Sequence, residues 1–357
     1  MSTHPSRRSI LQAAAAAPLA SAAAERTRTE PNGSLTDVPK LKVGHWTSDR
    51  RPTGCTVVLA EAGAVTGVDV RGGGPGTRET DLLRPERTVE KAHAIVLAGG
   101  SAFGLAAADG VMQYLEEKGV GFRAGRNVVP IVPAAILFDL QMGDGSVRPD
   151  KQAGYLAAKA ATSEPVIQGN VGAGAGATVG KLLGPLRAMK GGLGSASIRL
   201  PGEVVVGAVA AVNSLGDVVD PETGELLAGA LTEDGKKLAG TAALIRSGLG
   251  FGAAVPRENT TLVVVAANVD WTQAQATKVA QMAQDGLARA IRPVHMPFDG
   301  DTVFALGTGG AAVDSSKLGL LGAVAADVVG QAIVAAILHA ESAEGRISRR
   351  ELVERKG

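Results

Sequence analysis

Cysteine is almost missing from this chain: Cys55 is the single one in 357 residues. No intramolecular disulfide can form, and a cysteine-based metal site has no ligands to draw on. Aromatic residues make up 3 % of the sequence and neither sign of charge dominates, the formal net charge being +1 at pH 7. With no lysine/arginine cluster interleaved with aromatics, there is no case for nucleic acid as a partner. The five histidines, His4, His45, His93, His295 and His339, show no paired metal spacing, so neither a metal nor another cofactor is expected. His295 lies near a carboxylate pair and is the one to follow. No proline- or serine-rich linker divides the chain, which favours one large core over two domains. What is plentiful is glycine, 48 residues, together with alanine, a composition suited to closely packed layers joined by tight turns.

The amino terminus reads separately. Ser6-Arg7-Arg8-Ser9-Ile10-Leu11 precedes an alanine-rich stretch that ends in Ala20-Ser21-Ala22 or Ala22-Ala23-Ala24. These are the parts of a twin-arginine export signal with a small-residue cleavage site, so residues 1–24 are expected to be a signal peptide for a periplasmic or secreted protein. The competing reading is an alanine-rich tail with a chance arginine pair. Residues 25–40 carry threonine, proline and glycine and are expected to form a flexible lead-in.

Further along, residues 53–60 and 65–70 read as a strand pair joined at Glu61-Ala62-Gly63, followed by the loop Arg71-Gly72-Gly73-Gly74-Pro75-Gly76. Residues 92–98 read as a buried strand leading through Gly99-Gly100 into a helix to about Lys118, with Ser101 as N-cap and Gly119 just past the end. A second helix runs from Asp150 to about Ala161. Residues 203–212, 261–268 and 302–306 are expected strands, and 272–291 a helix stopped by Pro293. The helix expected over 315–341 is apolar enough to raise a membrane question, but Asp327 and Gln331 interrupt it, which favours burial between layers.

Two catalytic or ligand-binding patterns fail on inspection. Gly99-Gly100-Ser101-Ala102-Phe103-Gly104 imitates a nucleophile elbow, but Phe103 stands where the pattern needs glycine. Ala175 to Leu182 imitates a phosphate-binding loop, but Ala175 replaces its first glycine and Leu182 the hydroxyl that would hold magnesium.

A third pattern survives. In Glu258-Asn259-Thr260-Thr261-Leu262-Val263-Val264-Val265 a polar pair stands at the mouth of an apolar β-branched run. Taken alone, Asn259-Thr260-Thr261 reads as turn and strand-edge polarity. A threonine freed by a cut before it, however, would carry both a nucleophilic hydroxyl and an α-amine, of reference pKa about 7.7 to 8.0, to act as general base. Downstream, Phe298-Asp299-Gly300-Asp301-Thr302-Val303-Phe304-Ala305 places two carboxylates around one glycine before another apolar strand; alone, it could equally be a bare turn. Upstream are Gly169-Asn170-Val171-Gly172-Ala173-Gly174-Ala175-Gly176-Ala177-Thr178-Val179-Gly180-Lys181 and Val209-Ala210-Ala211-Val212-Asn213-Ser214-Leu215-Gly216-Asp217.

Together, and in this order, these segments resemble the DmpA-type peptidase family of self-processing aminopeptidases and amidases, nearest its 6-aminohexanoate-oligomer (nylon oligomer) hydrolase branch. The resemblance runs from about Val43 to about Glu341. It implies an α/β fold of N-terminal-nucleophile-hydrolase-like αββα type. It further implies one catalytic domain over 41–357, self-cleaved at Asn259–Thr260 into 41–259 and 260–357, acting on peptides or aminoacyl amides through a Thr260 acyl-enzyme.

By the same resemblance Asp299 and Asp301 orient the nucleophile's hydroxyl and amine. Lys181 supplies a cation beside that amine, pushing it toward its neutral, basic form, and Asn213 donates to the tetrahedral oxyanion. Without the resemblance, Lys181 and Asn213 read as a surface cation and a strand-end turn residue. The sequence departs from the family at Phe138, which stands in the substrate pocket where members commonly carry tyrosine. Ile136 stands where aminopeptidase members can hold a substrate amine with an acid. That departure leaves room for an endo-acting amidase. The resemblance implies a homotetramer of cleaved protomers, with a dimer as the alternative, and the interrupted apolar helix argues for no membrane span. The alternatives are an acyltransferase of ornithine-acetyltransferase type, which also cuts itself before a threonine, and an unprocessed binding protein.

Overall fold

A computed structural model describes residues 32–249, 259–311 and 314–355. The expected export signal and the lead-in up to residue 31 lie outside these residues. From residue 32 on, the lead-in is not the loose chain expected. Ser34 and Asp37 close a capping box around the turn Leu35–Asp37, Leu35 and Val38 are fully buried, and the Leu35 N–H donates to Ser195 Oγ at 2.8 Å. Two buried apolar side chains and a satisfied turn are enough to pin so short a segment.

The main sheet has nine strands among the described residues. They are β1 (Lys42–Thr47), β2 (Gly54–Val70), β3 (Thr77–Arg78), β4 (Lys91–Ala98), β5 (Ala134–Ile136), β6 (Gly192–Leu200), β7 (Val204–Asn213), β8 (Thr260–Val269) and β9 (Thr302–Ala311). Their order is β6-β7-β8-β9-β2-β4-β5-β3, with β1 also paired on β2. Four helices cover it: α1 (Ala107–Glu117), α2 (Lys151–Lys159), α3 (Gln273–Ala290) and α4 (Leu318–Leu338).

Alternation along the strands resolves this single hydrogen-bonded sheet into two layers. On β7, Val206, Ala208, Ala210 and Val212 face α3 and α4, whereas Val205, Val209 and Ala211 pack toward Val58, Ile95 and Leu97 of the opposite layer. Cys55, Val57 and Leu59 of β2 and Val96 and Ala98 of β4 point outward again, under α1 and α2. Each sheet face is thus covered, and the order is helix, sheet, sheet, helix, the αββα arrangement expected.

Strand β2 links the layers. The turn expected at 61–63 does not separate two strands. The strand runs unbroken for 17 residues, and its register against β4 shifts between Leu59 and Ala64. Its first half pairs with β1 and β4, its second half with β9. An irregularity of this kind bends a strand and lets it pass from one sheet to the other.

Helix α4 carries the length and apolarity of a membrane span yet is mostly buried. It lies so close on β6 that a Cβ at Gly194 would fall 2.1 Å from the Ala332 carbonyl oxygen, which only glycine avoids. Ser101 is not a helix N-cap. It has φ +56°, follows Gly100 at φ +82°, and opens a short 3-10 turn, Ser101–Ala106, before α1.

The arrangement that matters for the site is the unit β8–α3–β9. Parallel neighbours need a crossover, and α3, opened by a Thr272/Gln275 capping box, supplies it. Parallel strands begin at the same edge. Leu262 therefore pairs with Thr302, and Asn259 bridges Asp299 just before the strands start. The antiparallel β7 ends at that same edge, with Asn213 opposite Thr260.

Candidate active site

Three strand ends thus bring Asn213, Thr260 and the Asp299-Gly300-Asp301 turn together from distant points in the sequence. With Lys181 and Asn259 they are buried, none more than 7 % exposed. In so dry a place charges and dipoles interact far more strongly than in water.

Thr260 opens β8 with its Oγ1 2.5 Å from the carbonyl oxygen of Asn259. The same carbonyl accepts the Gly300 N–H at 2.9 Å. A hydroxyl and a donor therefore converge on one peptide bond. Gly300 has no side chain for a reason: a Cβ there would stand 2.7 Å from Thr260 Oγ1.

The carboxylates flanking Gly300 differ. Asp301 Oδ1 accepts the Thr261 N–H at 2.7 Å, and its Oδ2 accepts the His295 N–H at 3.1 Å and lies 2.9 Å from His295 Nδ1. Asp299 Oδ2 accepts the Met296 N–H at 2.8 Å, while its Oδ1 is buried without a partner. Burial first, and the charge of Asp301 second, push the Asp299 carboxyl up to about 7, against the pull of the Met296 N–H, Lys181 and His295. The glycine loop after β2 braces this turn from behind. Arg71 N–H donates to Asp301 O at 3.0 Å, Gly74 N–H donates to Asp299 O at 2.8 Å, and a Cβ at Gly72 would meet Asp299 O at 2.1 Å.

Across from Thr260, Asn213 is held on every side. Its Oδ1 accepts Lys181 Nζ at 2.8 Å and the Thr178 N–H at 3.0 Å, its backbone carbonyl accepts Lys181 Nζ at 3.1 Å, and its Nδ2 donates to Phe138 O at 3.0 Å. Asn213 Nδ2, the expected oxyanion donor, donates here to Phe138 O, and the Asn259 carbonyl accepts the Gly300 N–H and the Thr260 hydroxyl. Phe138 enters through its backbone carbonyl, and its ring is half-buried. Lys181 is buried, and its Nζ meets Asn213, the cross-strand partner of Thr260.

Behind this shell lie charges that the motifs did not flag. Lys190 is fully buried, and its Nζ donates to the carbonyls of Gly174 and Ala177 at 3.0 Å each and of Gly191 at 2.9 Å. Burial pushes its ammonium down to about 7, with Asp139 the opposing influence. Asp139 accepts Arg51 at 2.8 Å, Thr53 Oγ1 at 2.7 Å and the Gly100 N–H at 2.9 Å. The sequence signal for Lys190 and Asp139 is a charged residue in a glycine-rich or apolar context. The backbone N–H of Gly300 has no sequence signature at all.

The chain is similar to known proteins over most of its length. The profile of peptidase family S58 matches residues 33–351. An uncharacterized aminopeptidase of Mycobacterium leprae is 44 % identical over 342 residues, covering 88 % of this chain and 92 % of that one. The 6-aminohexanoate-oligomer endohydrolase of Paenarthrobacter ureafaciens is 32 % identical over 276 residues, 76 % of this chain and 74 % of its own. Among solved structures, a Burkholderia beta-aminopeptidase superposes with TM-score 0.66 at 22 % identity, covering 92 % of this chain and 95 % of that one. The L-aminopeptidase D-Ala-esterase/amidase of Ochrobactrum anthropi, described as a variant of the Ntn hydrolase fold, does so with TM-score 0.66 at 18 % identity, covering 92 % and 96 %. At these identities the two structures speak for the fold.

Proposed function

The chain belongs to peptidase family S58 and hydrolyses peptide or amide bonds, and from that premise we propose that it makes its own nucleophile by cutting the Asn259–Thr260 bond. The observation that carries the proposal is the convergence of Thr260 Oγ1, at 2.5 Å, and the Gly300 N–H, at 2.9 Å, on the Asn259 carbonyl oxygen.

Attack of Oγ1 on the Asn259 carbonyl carbon forms a C–O bond, and the Gly300 N–H stabilises the developing oxyanion, a contribution of several kcal/mol in sites of this kind. Collapse breaks the C–N bond, the threonine hydroxyl proton ends on nitrogen, and an ester joins Asn259 to Thr260 Oγ1. Water hydrolyses that ester, leaving a carboxylate on Asn259 and a free α-amine on Thr260. In the processed protein the amine takes the proton of its own hydroxyl as Oγ1 attacks an amide substrate, then returns it to the leaving amine. A second water releases the acyl group. The substrates are peptides or aminoacyl amides. Ile136 brings no charge that would demand a free substrate amine, so internal amide bonds are included.

Intact-mass measurement tests this directly. The purified protein should consist of two pieces, one ending at Asn259 and one starting at Thr260, and Thr260→Ala should give a folded, single, inactive chain. An uncut wild-type chain, or a cut at another bond, overturns the proposal. A panel of aminoacyl and 6-aminohexanoyl amides then identifies the preferred acyl group.

A further inference from the structure

His295 stands just outside the motifs, yet two of its groups reach the site. Its backbone N–H and its ring Nδ1 both meet Asp301 Oδ2, at 3.1 and 2.9 Å. The other oxygen of Asp301 is taken by the Thr261 N–H, at 2.7 Å. The two backbone N–H groups take one oxygen each, and the ring Nδ1 adds a third contact, made through the side chain, that holds the tilt of the carboxylate beside the start of β8 at Thr260.

Holding His295 there costs free energy in two ways. Its φ of +56° is one that residues with a side chain seldom adopt. Its Nε2 is buried with no hydrogen-bond partner. Strain and an orphaned polar atom kept together beside reacting groups point to function rather than to packing.

We infer that His295 is a positioning residue: its Nδ1–H holds the Asp301 carboxylate in the one orientation that serves Thr260. The inference rests on the reading of Thr260 as the nucleophile. With the proton on Nδ1 the ring donates to Asp301 Oδ2, alongside the backbone N–H of the same residue.

Side-chain replacements separate this role from a structural one. Asparagine tolerates the positive φ and carries an N–H on the atom bonded to Cγ, as Nδ1 is; glycine tolerates the same φ and carries no donor. On fully processed protein, His295→Gly should lower kcat roughly a hundredfold, as misplacement of a reacting group does, with KM within about threefold of wild type. His295→Asn should recover kcat to within about tenfold of wild type. Wild-type kcat in His295→Gly, or equal losses in both variants, overturns the inference. Should the glycine variant not fold, His295→Gln replaces it, since its donor lies one bond too far. Equal kcat for Asn and Gln is then the overturning result. Asp301→Asn run in parallel keeps the two readings apart. An inactive Asp301→Asn beside a fully active His295→Gly removes only His295, whereas a fully active Asp301→Asn removes the site reading itself.

Discussion

Asp299 and Asp301 stand on either side of one glycine yet are held so differently that they cannot do the same work. Both oxygens of Asp301 accept a backbone N–H and one also meets His295 Nδ1, whereas Asp299 keeps one buried oxygen bare and its carboxyl is pushed up to about 7. Unfolded, Asp299 would lose its proton near the ordinary 3.8; folded, it keeps it to about 7. Between those values the folded state binds more protons, so this group makes stability fall as pH rises, with the full penalty present above 7. In a Thr260→Ala background, which prevents cutting, Asp299→Asn should gain in Tm relative to its parent from pH 4 to pH 8. The amide keeps the oxygen that accepts the Met296 N–H but carries no charge. A pH-independent difference in Tm would mean that Asp299 does not titrate in this window. In the Thr260-containing protein the same substitution should slow hydrolysis roughly a hundredfold, the loss that follows when a reacting group is misplaced.

At the scale of elements, what the sequence carried was the local half of the design. A polar residue at the start of an apolar β-branched run marks a strand entry, so Thr260 and the Asp299-Gly300-Asp301 turn were legible, as were the helix starts at Thr272 and Asp150. That Asn259 lies beside Asp299 was not. That follows from the parallel register of β8 and β9, which the crossover α3 sets over forty residues of chain. The bend in β2 reads as a turn in the sequence because Glu61-Ala62-Gly63 has turn residues, while the pairing that keeps the strand whole is non-local. Backbone groups such as the Gly300 N–H, and charges such as Lys190, carry no periodic signal.

Lys190 offers a test at this scale. Its ammonium ties together the carbonyls of the loop that carries Thr178 and Lys181 to Asn213. Lys190→Met, similar in length but without a donor, should cost about 2 kcal/mol in the Thr260→Ala background, since hydrogen bonds to a charged group are worth roughly 1.5–3 kcal/mol and relief of the buried charge offsets part of the loss. The difference should depend on pH. Unfolded, the lysine holds its proton to 10.5; folded, to about 7. In between, the unfolded state binds more protons, so the parent gains stability with rising pH and the methionine variant lacks that gain. Denaturant melts at pH 6 and pH 9 that show the same difference would count against a titrating Lys190.

For the whole molecule, the position of the proposed cut decides how the pieces stay together. The piece beginning at Thr260 contributes β8, β9, α3 and α4; β8 is buried along its whole length between β7 and β9, and β9 pairs on its other side with β2. Both β7 and β2 belong to the piece ending at Asn259. Each cut edge would therefore expose a row of unpaired strand groups and an apolar face, since two of the three core clusters are shared between the pieces. The processed protein should elute natively as one species and separate into two chains only under denaturing conditions. Folding as one chain and then being cut turns an intramolecular pairing into an intermolecular one. After complete denaturation, the recovered activity of processed protein should fall with dilution, because the pieces must find each other. Thr260→Ala, still one chain, should regain its native circular dichroism to the same extent at every concentration. Recovery of processed protein that is independent of dilution, or a folded spectrum from residues 260–357 alone, would show that the pieces fold independently and that the interlocking of β8 is not what joins them.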